Sequence, residues 1–270
     1  MFDLNKLPNI SETELSSYVT PEDVFLEGMT SISALIGALK SQNSINDRKI
    51  KLVVFDASRL KSKRRELVYL LSSAEQLGFK VFLCDTLLVD NYSQGKTHGG
   101  VLALCSKRTI PALAPQYITD GGFYAYIEGV EDPYNFGYSI RALYAAGVDG
   151  IILTERNWLS AAGIVARSSA GASEALPMYC ADGELLCRHF KNRGYSIVAA
   201  SIRDSVSLYD ADLTKPLLLI VGGEKRGISR LLLDNSDLKI RIEYANDFRG
   251  SLPTVSAVSV IAFEIYKQNK

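Results

Sequence analysis

The sequence predicts an α/β protein of two units: a C-terminal, mainly parallel sheet with helices on both faces, preceded by a smaller α/β sandwich. Three observations predict this. The chain has 270 residues, 47% of them hydrophobic, which exceeds the usual size of a single core. From residue 123 onward short apolar runs alternate with amphipathic segments, the pattern of strands joined by helical crossovers. Finally, SKRTIPALAPQYITDGG (106–122) concentrates proline, glycine and polar residues as a linker does. The boundary is therefore expected near residue 118, giving units 1–118 and 119–270.

Each element follows from its own pattern. SETELSSYV (11–19) is a short helix opened by Ser11, and VFLEG (24–28) is a strand leading into the helical spacing of MTSISALIGALK (29–40). KIKLVVFDAS (49–58) is a buried strand, and KSKRRELVYLLSSAEQLGF (61–79) is an amphipathic helix closed by Gly78. KVFLCDTLLVD (80–90) and GVLALCS (100–106) supply further strands. The second half opens on strand FYAYIEGV (123–130), a helix from Phe136 to Ala146, strand GIILT (150–154) and a helix-compatible run, SAAGIVARSSAGASEAL (160–176). Helix DGELLCRHFKNRG (182–194), strands SIVAAS (196–201) and PLLLIVGG (216–223), helix GISRLLLDNSD (227–237) and strand KIRIE (239–243) follow, with an apolar helix from about Thr254. There is no internal repeat or low-complexity tract.

Composition removes several classes of function. The N-terminus, MFDLNKLPNI, has no basic segment followed by an apolar run, and no stretch reaches the ~18 apolar residues of a membrane span. A cytosolic protein without a membrane partner is expected. Four cysteines without C-x-x-C spacing and only two histidines suggest neither a metal site nor a disulfide framework. His98, in THGG, reads as a turn residue. Charge is balanced at 30 basic and 30 acidic residues, with 14 and 12 of them in 1–118. That disfavours a generic nucleic-acid coat. A structured RNA gripped through a local cluster such as KSKRR (Lys61 to Arg65) stays open, beside the reading of that cluster as a solvated helix start.

In parallel sheets ligands bind beyond the carboxyl ends of the strands, which singles out VEDPYNFG, VGGEKRG and YANDFRGSLP. The second is no P-loop, because Ile228 and Ser229 stand where Lys and Ser/Thr would reach phosphate and magnesium. It offers two glycines that admit close backbone approach, then Glu224. The first sets Asn135 where a helix should begin and Arg141 six residues later, beside a core-facing stripe. A cation there needs either a partner or a function. Two readings stay open, a buried bridge to Glu128 or Asp132 and contact with a ligand such as phosphate, which the guanidinium fork suits.

Taken together, DPYNFGYSIR, LLLIVGGEKRGIS and RGSLPTVSAVSVIAFE resemble, in order and spacing across residues 123–270, the three motifs of the SpoU (TrmH) family of RNA ribose 2′-O-methyltransferases. EGMTSISALI and THGGVLAL resemble the RNA substrate-binding domain that precedes the catalytic domain in several members. The resemblance implies S-adenosylmethionine held in a deep trefoil knot, a rare exception to unknotted chains. It implies structured RNA, rRNA or tRNA, as substrate. It also implies a homodimer through the knotted domain that buries Val258, Ile261 and Ile265. On this likeness Asn135, Arg141, Glu224 and Ser251 are the catalytic set, and Gly222, Gly223, Glu224, Ile242, Ser251 and Leu252 bind the cofactor. A guanidinium, with a pKa above ~12, serves such a reaction by stabilising the developing alkoxide, not as a base. The family commonly reads Ser-Leu-Asn where this chain has Ser251-Leu252-Pro253. Proline suits a first helical turn but offers no amide and no backbone donor. Thr254 or Ser256 is a candidate to compensate, and a catalytically silent knotted RNA-binding protein of ribosome assembly is the alternative. Tyr126, Tyr134 and Tyr138 are candidates for base stacking or for packing.

Overall fold

The computed structural model describes residues 4–154, 161–248 and 250–270, with the backbone alone at Asn5. The chain divides into two compact units, Met1–Thr109 with Trp158–Ala175, and Ile110–Asn157 with Leu176–Lys270.

The first unit is built on a four-stranded sheet of order β1-β4-β2-β3, from β1 (Val24–Glu27), β2 (Ile50–Asp56), β3 (Lys80–Cys84) and β4 (Val101–Cys105). β4 is antiparallel to β1 and β2, while β2 and β3 are parallel. Strand side chains alternate between two apolar layers. Val53, Phe55, Val101 and Ala103 pack with Ile32, Leu35 and Ile36 of α2 (Gly28–Lys40), with Leu67 and Leu70 of α3 (Arg64–Leu77), and with Ala166. Leu52, Val54, Leu102 and Leu104 face Leu15 of α1 (Glu12–Tyr18) and Leu88 and Val89 of α4 (Thr86–Tyr92). α1 opens on Ser11, whose hydroxyl accepts the Glu14 N–H, and α3 closes on Gly78 at φ 77°, as their capping residues predict. The TLLVD stretch is a helix, not the strand expected of it. Asp85 accepts the Leu88 N–H at 2.8 Å and so starts a helix directly after β3.

The first unit also recruits residues that follow strand Gly150–Leu153 in the chain. α6 (Ala162–Ser168) and α7 (Ala172–Ala175) replace the continuous helix the sequence suggested; its first residue, Ser160, lies outside the described residues. Ala170 and Gly171 both take positive φ, 52° and 82°, and break it. Glu174 of α7 is buried and receives the Arg48 guanidinium, Nε to Oε2 at 2.9 Å, with Asn46 Nδ2 at 3.1 Å.

The second unit is a seven-stranded sheet of order β7-β6-β5-β10-β8-β11-β9, parallel throughout. Its strands are β5 (Phe123–Glu128), β6 (Gly150–Leu153), β7 (Met178–Cys180), β8 (Ser196–Ala200), β9 (Val206–Ser207), β10 (Leu217–Gly222) and β11 (Leu238–Arg241). β7 and β9 are too short to show a pattern and are not legible in the sequence. The central strands β5 and β10 are buried almost throughout, as a sheet covered on both faces requires. The helices are α5 (Pro133–Ala145), α8 (Gly183–Asn192), α9 (Arg230–Asn235) and α10 (Thr254–Gln268).

The proline-rich stretch after Thr109 is bound to this unit along its length. Leu113 N–H and Cys180 N–H donate to the carbonyls of Cys180 and Pro111 respectively. The Tyr195 hydroxyl donates to the Thr119 carbonyl and accepts the Gly122 N–H, and burial pushes that phenol up despite the bond it accepts. Thr109 thus ends the first stretch of one unit, and Ile110 begins the other. Val258, Ile261 and Ile265 are buried within the single chain, where α10 packs on α5, so they are core residues and not free to bury a partner. Among the described residues no helix is long and apolar enough to cross a membrane.

Candidate active site

β5 and β10 lie side by side, Glu128 level with Gly222. From β5 the sheet runs to β6 and β7 on one side, and from β10 to β8 and β11 on the other. The direction of strand succession reverses between these two strands, and the crevice beyond their carboxyl ends is where such a sheet binds a ligand. The backbones there are very close. Gly223 donates its N–H to the Glu128 carbonyl at 2.7 Å, and Gly227 donates to the Gly223 carbonyl at 2.9 Å. A Cβ on Gly223 would overlap the carbonyl of Gly129, and one on Gly222 would overlap the backbone of Gly227. Glycine is needed at Gly223 because its loop meets the loop after β5 main chain to main chain, and at Gly222 because its own loop folds back on it at Gly227. Glu128 is engaged by the Ser229 N–H at 2.7 Å, at the start of α9.

The loop after β5 turns into α5 through Asp132, whose carboxylate accepts the Asn135 N–H at 2.7 Å, with Pro133 in the first helical turn. The helix thus begins before Phe136, and Asp132 rather than Asn135 caps it. That leaves the Asn135 side chain free to donate from Nδ2 to Glu224 Oε1 at 3.3 Å. A second tie between the same loops joins Lys225 Nζ to Glu131 Oε2 at 2.7 Å, with both groups exposed.

The third segment follows β11. Ile242 is half-buried directly after the strand. The Tyr244 hydroxyl accepts the Leu252 N–H at 3.1 Å, and the ring of Phe248 meets Tyr244 edge-on, centroids 5.5 Å apart. Pro253 stands at the cap of α10 and Thr254 begins the helix; its hydroxyl donates to the Gly222 carbonyl at 3.3 Å. Thr254 is the residue through which the third segment reaches the first glycine of the second, and only its position beside Pro253 hints at this in the sequence. Ser251 is exposed and makes no hydrogen bond among the described residues, and Arg249 lies outside them.

Arg141 lies two turns along α5 from its cap. It is exposed and pairs with none of the described residues. Neither bridge open from the sequence exists, because Asp132 serves the helix cap and Glu128 serves Ser229. Tyr134, Tyr138 and Tyr144 share the exposed side of α5, whereas Tyr126 is packed inside the sheet, where burial pushes its hydroxyl up.

Hydrogen bonds thus join Asn135 to Glu224 and Thr254 to Gly222, and a backbone bond links Gly223 to the end of β5; Arg141, Ile242 and Ser251 are not hydrogen-bonded to this group. Glycines that present no side chain, followed by the carboxylate of Glu224, leave room for a ligand beyond the ends of β5 and β10.

Residues 122–263 match the SpoU rRNA Methylase family. Over 211 residues the chain is 27% identical to the 23S rRNA (guanosine-2′-O-)-methyltransferase RlmB of Shewanella oneidensis, covering 76% of this chain and 85% of that protein. The RlmB of Photorhabdus laumondii is 26% identical over the same coverage. Among solved structures, the AdoMet-bound rRNA methyltransferase from Sinorhizobium meliloti shares the fold, with a TM-score of 0.70 over 95% of this chain and 90% of that one at 23% identity.

Proposed function

Since the chain belongs to the SpoU rRNA Methylase family, we infer that it is an S-adenosylmethionine-dependent RNA methyltransferase acting on a ribose 2′-hydroxyl of structured RNA. The observation that carries this reading is the meeting of all three motif segments at the β5/β10 switch point, fastened by Asn135 to Glu224 and by Thr254 to Gly222. When bound, S-adenosylmethionine supplies a methyl group on a sulfonium, an electrophile that leaves a neutral thioether.

The chain's own groups then have distinct roles. The main chain of Gly222 and Gly223 and the side chains of Ile242 and Leu252 hold the cofactor, with Ser251 offering its hydroxyl at the rim. Asn135 orients Glu224, and Glu224 faces the substrate. Arg141, exposed, permanently charged and unpaired among the described residues, binds the phosphate beside the target ribose and stabilises negative charge as it grows on the 2′-oxygen. The first unit holds the RNA. The C-terminal threading is a trefoil knot, and two copies pair through the exposed side of α5 and α10, where Tyr138, Tyr144, Phe263 and Tyr266 are uncovered. Its work on rRNA or tRNA places the protein in the cytoplasm.

The test is to incubate the protein with methyl-labelled cofactor and purified rRNA or tRNA, then map ribose methylation by resistance to alkaline cleavage. Labelled RNA is expected, with Arg141→Ala lowering kcat about 100-fold or more while cofactor affinity, measured by calorimetry, is unchanged. Cofactor binding without RNA labelling, restored by Pro253→Asn, would instead establish the silent reading.

A further inference from the structure

We propose that Phe248, in the loop after β11, is the platform on which the base of the target nucleotide stacks while its ribose meets the methyl donor. The inference rests on the methyltransferase reading and names a residue that seats its substrate.

The loop leaves the carboxyl end of β11, on the same edge of the parallel sheet as the Gly222 end of β10. Tyr244 ties it to the rest of the site. Its hydroxyl accepts the Leu252 N–H at 3.1 Å, and two residues further on Thr254 reaches the Gly222 carbonyl. Phe248 rests on that anchor. Its ring meets Tyr244 edge-on, with centroids 5.5 Å apart and planes at 64°, and a Cβ on Gly250 would lie only 2.6 Å from its Cζ. The backbone turns tightly there, the Phe248 N–H donating to the Asn246 carbonyl at 2.7 Å. A ring braced by an aromatic neighbour and by a glycine backbone keeps its place, while 54% of the residue faces solvent.

That exposure sets Phe248 apart. Among the described residues the exposed phenylalanines are Phe248 and Phe263, and Phe263 lies on the α10 side already assigned to a second copy. A phenylalanine has no polar atom to hydrate, so its open ring forfeits the gain of burial until a ligand covers it. The substrate brings a flat group to this edge, because the base is carried on C1′, the carbon next to the one bearing the reacting oxygen. Bases that proteins read in RNA are splayed from their helices and stacked on aromatic side chains, and such stacking accepts any base, since each has a π face. The cofactor's own ring falls instead to Ile242 and Leu252, which are half-buried, whereas Phe248 is open to a partner arriving from solution.

The test places a reporter at the position. Phe248→Trp in the full chain shows stacking by its fluorescence, read against the unsubstituted protein with its single tryptophan. With S-adenosylhomocysteine present in excess, each of the four ribonucleoside monophosphates is expected to quench the added signal saturably. No quenching by any of them overturns the proposal. So does quenching by S-adenosylhomocysteine that leaves nucleotides without effect, which gives the ring to the cofactor, or quenching that follows protein concentration alone, which gives it to a second copy. In turnover, Phe248→Leu keeps the bulk and loses the π face. It is expected to raise the KM for purified rRNA or tRNA about 5- to 100-fold with calorimetric affinity for S-adenosylmethionine unchanged, and Phe248→Tyr to restore it; an unchanged KM in Phe248→Leu overturns the proposal as well. Nucleotide quenching needs no methyl transfer, so a protein that shows it but labels no RNA refutes the enzymatic reading alone.

Discussion

Among the described residues, Thr254 is the side chain that hydrogen-bonds the third segment to the end of β10. Its hydroxyl donates to the last carbonyl of β10 from a buried position, in a chain whose neighbouring Pro253 can donate nothing. Thr254→Val leaves that carbonyl unsatisfied, at a cost of about 1 to 3 kcal/mol, and should lower Tm by roughly 2 to 4 °C per kcal/mol as well as raise the Kd for S-adenosylmethionine. Thr254→Ser should restore it; equal weakening by both variants would show that the methyl group, not the hydroxyl, is what matters. Asn135, Glu224 and the glycines are legible in the sequence because each sits in a recognisable motif. The Thr254 bond is not, since a hydroxyl in a first helical turn reads equally well as a cap or as packing. Arg141 is legible as an anomaly, and its lack of any ion pair among the described residues follows only from where Asp132 and Glu128 turn.

At the scale of elements, strong apolar strands and capped helices are legible, and the departures lie where a polar residue decides between two structures. Asp85 turns an apolar run that looks like more strand into α4, and Asp132 moves the start of α5 ahead of Asn135. β7 and β9 escape detection because two or three residues cannot display a period. The α5 cap matters beyond the helix, since the bond that fixes the Asn135 backbone also aims its side chain at Glu224. Asp132→Ala should therefore cost about 1 kcal/mol in chemical denaturation and also lower kcat; Asp132→Ser should recover most of both. A loss of stability with unchanged kcat would separate the cap from the site.

At the scale of the molecule, both α/β units are legible, but the membership of residues 161–175 is not. Their helical pattern fits either unit, and the decision is made by the buried pair of Arg48 and Glu174, with side chains only 4% and 3% exposed. Removing one partner strands the other, so Glu174→Leu alone should destabilise by about 3 to 5 kcal/mol, while Arg48→Met/Glu174→Leu should recover much of that loss. Urea unfolding of the four proteins in this cycle measures the coupling; additive losses would reduce the pair to two independent packing sites. The same discontinuity governs how the protein can be taken apart. A protease that nicks the chain once, anywhere in 110–122, leaves the N-terminal fragment without a whole interior, because the niche filled by Ala166 empties on that piece while its occupant stays on the other. The chain passes between the units three times, at 109/110, 157/158 and 175/176, so three cuts are the minimum for release, and a nascent chain must emerge past residue 175 before its first unit can close.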